Sequence, residues 1–172
     1  LSLSQDLTAT GTLTLSTASG GVTQSTGTLR VSGTTAVTAG ASGISLGGAS
    51  NDFGGAVSLS GGTSTVHDTN ALTLGTLATG ALTVTSGGVL NLGEGLVGGN
   101  LSASSAGFAI TQATGTGQRL QVTGTTTLNA GTADITLLPT TNDRQGAITA
   151  TGGGVSLRSA GNLQLVALTQ PG

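Results

Sequence analysis

An eleven-residue segment occurs twice in this sequence, and that repetition restricts the possible folds more than any other feature. Residues 51–61 read NDFGGAVSLSG, and residues 142–152 read NDRQGAITATG, 91 positions later. Each copy opens with an Asn-Asp turn pair, ends at glycine and carries a short alternating apolar segment between them. Such self-similarity is the signature of repeat proteins, in which each unit buries its apolar surface against its neighbours.

The similarity extends well beyond this segment. Residues 32–61 and 123–152 are identical at twelve of 30 positions, and residues 22–26 match residues 110–114 at an offset of 88. The sequence therefore predicts a super-repeat of about 90 residues.

We place the first copy of this super-repeat at about residues 13–100 and the incomplete second copy at about residues 101–172. Both belong to a single domain. We assign structural roles at corners of the fold to the residues that recur in both copies: Asn51, Asp52, Gly55, Gly61, Asn142, Asp143, Gly146 and Gly152.

Within each copy the local pattern is a short alternation, such as Leu72-Thr-Leu74 or Val155-Ser-Leu157. Apolar residues two apart with Thr or Ser between them are typical of half-buried strands. Glycine, asparagine and serine interrupt these segments every few residues, so the strands have only three to five residues. We predict an all-β parallel β-helix of roughly eight coils, with about 20 residues per coil and essentially no helix.

The composition agrees with a narrow and regular interior. Only 1% of the residues are aromatic and 6% are charged, whereas 32 are glycine. We expect ladders of Val, Ile and Leu inside and of Thr and Ser outside. Glycines at the corners would supply positive φ angles, and Asn51, Asn70 and Asn142 would occupy corners in the left-handed region.

The same composition excludes several classes of function. Four arginines, no lysine and a net charge of −2 argue against nucleic-acid binding. The absence of cysteine excludes disulfides and thiolate metal sites. No apolar run reaches the ~18 residues of a membrane-spanning helix, and no signal peptide is apparent. We therefore interpret the chain as a fragment of a larger protein.

Three groups of residues resemble catalytic motifs, and each has a simpler explanation. His67-Asp68 would suit a hydrolytic triad, but adjacent strand residues point to opposite faces, so we expect an exposed turn or face. The glycine-rich run at residues 93–98 is followed by a turn and a strand, not by the helix that a dinucleotide site needs. Asp134, Asp143 and Arg144 come closest to a lyase cluster, but we expect Asp143 to bond nearby backbone amides.

We therefore predict no catalytic residue, no cofactor and no metal site. Flat threonine ladders bind ice or glycans only when every coil carries Thr-x-Thr on one face. The pairs that begin at Thr12, Thr63, Thr83, Thr114 and Thr123 do not recur at one coil spacing.

The repeats resemble those of filamentous-haemagglutinin-like adhesins, which Gram-negative bacteria export by two-partner secretion. The similarity rests on residues 109–112, 122–131, 134–137 and 141–148, with residues 71–74 in the neighbouring copy. That family often has Phe after Asn-Asp: Phe53 fits this pattern and Arg144 departs from it. Because arginine is not buried unpaired, we expect the corner at Arg144 to be exposed.

The resemblance implies a right-handed β-helical shaft, secreted to the bacterial cell surface, that serves an adhesin or a contact-dependent toxin-delivery filament. Its partners would be an outer-membrane secretion partner, adjoining coils of the parent chain and a receptor or glycan bound elsewhere in that chain. The alternatives are a β-helical carbohydrate-active enzyme and a glycan- or ice-binding solenoid. Both end coils should expose strand edges, which predicts end-to-end association or fraying.

Overall fold

The computed structural model describes residues 1–113 and 117–171, which form a parallel β-solenoid of about eight coils without any helix. The predicted all-β class and parallel β-helical architecture are therefore confirmed, while the right-handed sense stays a prediction. Within the described ranges, no helix is long and apolar enough to cross a membrane.

The strands are short, as the alternating segments predict. In chain order they are β1 (Ser2–Leu3), β2 (Leu7–Ala9), β3 (Leu13–Ser16), β4 (Val22–Gln24), β5 (Leu29–Val31), β6 (Thr35–Thr38), β7 (Ile44–Leu46), β8 (Asp52–Phe53), β9 (Val57–Ser60), β10 (Ser64–Asp68), β11 (Leu72–Thr79), β12 (Leu82–Ser86), β13 (Leu90–Asn91), β14 (Glu94–Val97), β15 (Leu101–Ser104), β16 (Ile110–Thr111), β17 (Leu120–Val122), β18 (Thr126–Asn129), β19 (Ile135–Leu137), β20 (Asp143–Arg144), β21 (Ile148–Thr151), β22 (Val155–Leu157) and β23 (Leu165–Thr169).

Each coil passes over three faces in a fixed order. Face 1 is a nine-stranded sheet in the order β1-β4-β7-β10-β12-β15-β18-β21-β23. Face 2 begins with the three-stranded sheet β2-β5-β8 and continues with β13, β16, β19 and β22, and face 3 has the order β3-β6-β9-β11-β14-β17-β20. Strand β11 belongs to both faces 2 and 3, because residues 72–73 pair with β13 and residues 76–79 pair with β14.

Alternation along each strand places one set of side chains in a continuous interior. On face 1 the inward ladder holds one small or medium apolar residue per coil: Leu46, Val66, Val84, Ala103, Leu128 and Ala150. All six side chains are buried. Stacking like side chains at the ~4.8 Å strand spacing fills this side of the core with aliphatic residues.

The coils differ in length. The step from Thr65 to its face 1 neighbour Thr83 takes 18 residues, whereas the step from Ser102 to Thr127 takes 25. The extra residues lie at corners, because the strands on either side stay in register. A single coil length read from the sequence is therefore only an average.

The two super-repeats match strand for strand but lie on different faces. Strands β1–β11 correspond in order to β13–β23, and each counterpart lies one face further round the solenoid. For example, β6 of face 3 corresponds to β18 of face 1, and β7 of face 1 corresponds to β19 of face 2. One super-repeat therefore advances the chain by four coils and one face. The boundary proposed near residue 100 stays a prediction.

The recurring glycines lie where neighbouring coils touch, and not where φ is positive. Gly55, Gly61, Gly146 and Gly152 all have ordinary φ angles, so these four are not the glycines that supply positive φ. A Cβ atom on Gly55 would lie 2.5 Å from the carbonyl oxygen of Gly33, one coil below. Positive φ occurs at eight other described glycines: Gly20, Gly27, Gly40, Gly93, Gly95, Gly107, Gly117 and Gly131.

Candidate functional site

The first recurring Asn forms a buried amide pair with a glutamine of the preceding coil. The Asn51 side chain is fully buried. Gln24 Nε2 donates to Asn51 Oδ1 at 2.8 Å, and Asn51 Nδ2 donates to Gln24 Oε1 at 2.8 Å. Asn51 Oδ1 also accepts from the backbone N–H of Leu29, and its Nδ2 donates to the carbonyl of Leu46. This arrangement satisfies both amides inside the solenoid wall and ties two coils together.

The second super-repeat contains the same pair. Asn142 is buried, and it exchanges hydrogen bonds with Gln112 at 3.0 and 2.7 Å. Asn142 Oδ1 accepts from the backbone N–H of Leu120, the counterpart of Leu29. Neither Asn51 nor Asn142 has a positive φ, so the predicted left-handed corner is wrong: the side chain, not the backbone, gives asparagine its role.

The Phe53 position is occupied by a buried arginine in the second copy. Phe53 and Arg144 are each 1% exposed, and each is the inward residue of a two-residue strand, β8 or β20. The expectation that Arg144 lies at an exposed corner is therefore wrong. Strand alternation places its side chain inside, and the segment at Arg158 and Ser159 covers it.

The guanidinium of Arg144 is poorly satisfied there. Its Nη1 donates to the carbonyl oxygen of Arg158 at 3.1 Å. Its Nε and Nη2 have no hydrogen-bond partner within the part of the chain that the structure describes. Burial lowers the pKa of Arg144 to about 10, because removing the cation from water disfavours the charged form.

His67 and Asp68 differ in their burial. They alternate along β10, as predicted, but Asp68 is fully buried, so the expectation of an exposed turn is wrong for this residue. Its carboxylate accepts from the backbone N–H groups of Phe53 and Asn70 at 3.0 and 2.9 Å. Burial raises the pKa of Asp68, against the lowering effect of these two hydrogen bonds and with a smaller raising effect from Asp52. Asp68 thus connects two coils.

The other acids are also dispersed. Asp134 accepts from the backbone N–H of Gly154, one coil above. Asp143 points outward and forms a 3.4 Å ion pair with Arg119, so its predicted bonding to backbone amides is wrong. Asp52 accepts from the side chain of Asn70 at 3.0 Å. Strand β14 lies within the glycine-rich run at 93–98, and strand β15 follows that run, as predicted.

No three metal-ligating side chains come together among residues 1–113 and 117–171. Asp68, Asp134 and Asp143 each contact an adjacent coil.

The outer surface of face 1 carries an uninterrupted column of hydroxyl groups. One Ser or Thr from each of eight successive coils lies in register: Ser2, Thr23, Ser45, Thr65, Thr83, Ser102, Thr127 and Thr149. A second column, two residues further along the strands, runs His67, Thr85, Ser104, Asn129 and Thr151.

These columns are not evident from Thr-x-Thr spacing in the sequence, because the coils differ in length and serine often replaces threonine. Of the pairs compared there, the one at Thr114 and Thr116 lies outside the described residues.

The fold and the correspondence between its two halves define this chain as a repeat protein of the β-solenoid class. It belongs to the family of repeats of unknown function (DUF5649), whose profile matches residues 1–60 and 79–151, more than half of the chain. The two matched segments contain β1–β9 and their counterparts β13–β21. Comparisons with curated proteins and with solved structures found no significant match.

Proposed function

We propose that this chain is a non-enzymatic shaft segment of a secreted bacterial adhesin or contact-dependent toxin-delivery filament, similar to filamentous haemagglutinin. In this role the segment separates a distal binding or toxic tip from the cell surface. The observation that carries the proposal is the uninterrupted stacking of both super-repeats in one parallel solenoid. Further copies of such a unit lengthen the solenoid without changing its cross-section.

The geometry fits a spacer in a second way. Because each super-repeat advances by four coils and one face, counterpart side chains of successive copies point in different directions. A binding surface that depended on one recurring residue would wind around the shaft. The axial length that each super-repeat adds does not depend on this rotation. Four and one third coils, at ~4.8 Å per coil, add roughly 21 Å.

The partners in this proposal are an outer-membrane secretion partner, adjoining coils of the parent chain and a host or neighbouring-cell receptor bound by other parts of that chain. Antibodies against the 172-residue chain should label intact, non-permeabilised cells of the source bacterium. Treating the cells with external protease should remove the label. Labelling that requires permeabilisation would contradict the proposal.

The spacer role has its own test. Deleting one 91-residue super-repeat from the parent protein should shorten the filament seen by electron microscopy by roughly 21 Å and leave its width unchanged. A deletion whose length is not a whole super-repeat provides the control, because it places unlike strands in contact and should disrupt the shaft.

A second candidate function, binding of glycans or ice, is favoured by the two polar columns on face 1. Polar side chains, most of them hydroxyl-bearing, repeat at ~4.8 Å along the axis and at about 7 Å along each strand. Such a regular array suits a crystalline partner, either a polysaccharide surface or ice. Binding of such a partner requires no catalytic group.

Sedimentation with insoluble polysaccharides and measurement of thermal hysteresis test this alternative. Binding or hysteresis should be lost in Thr127→Glu and Thr149→Glu, which change face 1. The control is Thr14→Glu, which makes the same substitution at an exposed, outward position of face 3. No hysteresis and no polysaccharide binding in the parent chain would discard this candidate.

A further inference from the structure

Arg144 presents two unsatisfied hydrogen-bond donors to the solenoid interior. Its side chain is 1% exposed, and its Nη1 donates to the carbonyl oxygen of Arg158 at 3.1 Å. Its Nε and Nη2 have no partner within residues 1–113 and 117–171. These two nitrogens lie on the same edge of the planar guanidinium, so their N–H groups point the same way. They form the fork with which arginine binds an anion at two points.

The positive charge at this fork has no counter-charge in the described ranges. The one ion pair found there joins Arg119 to Asp143, and Asp143 points outward although it directly precedes Arg144. The guanidinium is protonated at neutral pH, because burial lowers the pKa of Arg144 only to about 10. A buried cation without a negative partner is strongly disfavoured, so this site favours any anion that can reach it.

The first super-repeat shows that a negative group fits at this level of a coil. There Asp68 is fully buried, and its carboxylate accepts from the backbone N–H of Phe53 at 3.0 Å. Ser159 is the counterpart of Asp68, 91 residues later, and its Oγ lies 3.5 Å from the backbone nitrogen of Arg144. One copy thus combines a buried carboxylate with an aromatic ring, whereas the other combines a buried cation with a neutral hydroxyl.

We propose that the fork of Arg144 is a binding site for a small monovalent anion such as chloride, held by the N–H groups of Nε and Nη2. One negative charge neutralises the single cation. Burial restricts the size of the ion, because β17 on one side and residues 158–159 on the other enclose the side chain. The ion is a ligand of the folded chain and stabilises it by mass action. This site is independent of the shaft function, because it lies inside the solenoid.

The first test compares the parent with Arg144→Phe in denaturant unfolding, as chloride replaces fluoride at constant ionic strength. Fluoride is the reference, because its tightly held water opposes burial. The folding equilibrium constant of the parent, divided by that of Arg144→Phe, should rise at least about threefold between roughly 0.01 and 1 M chloride. Division by the variant removes general effects of salt. A ratio that does not change with chloride would overturn the proposal.

Arg30→Phe is the matched control, because it removes an arginine from an exposed, outward position of β5. Its folding equilibrium constant should depend on chloride as that of the parent does. If Arg30→Phe loses the chloride dependence to the same extent as Arg144→Phe, the ions act on surface charge, and the buried site is excluded.

Two changes of Ser159 test where the ion lies. Ser159→Asp places a carboxylate at the position of Asp68 and competes with the ion for the cation, so the rise with chloride should fall to less than half of the parent's. Ser159→Asn has a similar size and no charge, and it should keep the parent's dependence. Equal dependence on chloride in the two variants would contradict a site beside Arg144.

Anomalous diffraction locates the ion directly. In crystals of the parent grown in sodium bromide, an anomalous peak should lie within hydrogen-bonding distance of Nε and Nη2 of Arg144. Crystals of Arg144→Phe should lack this peak. Bromide peaks confined to the outer surface of the parent would show adventitious ions only and would refute the site.

Discussion

Replacing Arg144 with phenylalanine should stabilise the solenoid. Burial lowers the pKa of Arg144 to about 10, well below its ordinary value. At about 1.4 kcal/mol per pKa unit, keeping this side chain charged costs the fold about 3 kcal/mol. The variant loses the hydrogen bond to the carbonyl of Arg158, worth roughly 2 kcal/mol, and gains a similar amount from burying an aromatic ring. Phe53 occupies the corresponding site in the first super-repeat, so a coil of this kind accommodates the ring.

We therefore expect Arg144→Phe to raise the free energy of unfolding by about 1–4 kcal/mol, the range found when buried charges are replaced by apolar residues. Denaturant unfolding followed by circular dichroism measures the change, and hydrogen exchange should show added protection near residues 155–169. Arg30→Phe is the control: it makes the same substitution at an exposed position of β5 and should change stability by less than about 0.5 kcal/mol. If Arg144→Phe is no more stable than the parent while the control is neutral, the argument from the buried charge is refuted.

The cost of the charge also has a defined pH dependence. Because burial places the folded-state pKa of Arg144 below its unfolded-state pKa, the folded chain holds this proton less tightly. The cost is therefore constant below about pH 10 and decreases only as the pH rises above that value. The advantage of Arg144→Phe should be the same at pH values of about 6 and 8.

Three further predictions concern the contacts between coils. A double-mutant cycle with Gln112→Leu and Asn142→Leu should give a coupling energy of about 1–3 kcal/mol, because either single change leaves a buried amide without its partner. If the losses in unfolding free energy of the two single variants simply add, the two side chains are not coupled. Gly55→Ala should lower the free energy of unfolding in denaturant by about 1–3 kcal/mol, because the new Cβ atom would collide with the backbone of Gly33. Gly11→Ala, with open space around the residue, should be neutral or slightly stabilising. Equal effects of the two changes would contradict the close contact at Gly55. The raised pKa of Asp68 gives stability that is present below the unfolded-state pKa of 3.8 and is lost as the pH rises through the folded-state pKa. The parent should therefore gain stability relative to Asp68→Asn as the pH falls from about 7 to 4. A stability difference that does not change with pH would contradict the raised pKa.

The sequence predicts the architecture because the architecture depends on local and repeating signals. Alternation in segments such as Leu72-Thr-Leu74 defines inward and outward residues, and the 91-residue repeat shows that the units stack. Low aromatic content indicates a narrow interior. These signals do not depend on how many residues lie at each corner, so they remain readable when coil lengths vary.

What the sequence does not show depends on the number of residues per coil. Steps of 18 to 25 residues bring together hydroxyl groups that have no common spacing, such as Thr65, Thr83, Ser102 and Thr127. The same irregularity hides the shift of the second super-repeat by one face.

The wrong predictions for Asn51 and Arg144 have a different cause. The pairing of Asn51 with Gln24 could have been suspected, because residues 22–26 recur at residues 110–114 with Gln at the same place. The charge of Arg144 predicts a surface position, although its place after Asn-Asp is that of the buried Phe53. Strand alternation, and not residue type, decides which side chains face inward.

Distances between spin labels on face 1 test the solenoid and its coil assignment most directly. Cysteines introduced at Thr23 and, in separate variants, at Ser102, Thr127 or Thr149 place the labels four, five and six coils apart. Double electron–electron resonance should give mean label-to-label distances of about 19, 24 and 29 Å for the pairs of Thr23 with Ser102, Thr127 and Thr149. The distance thus rises by ~4.8 Å per coil, although the steps in sequence are 25 and 22 residues. Distances that do not increase by one strand spacing per coil would contradict the stacked arrangement on which every other inference depends.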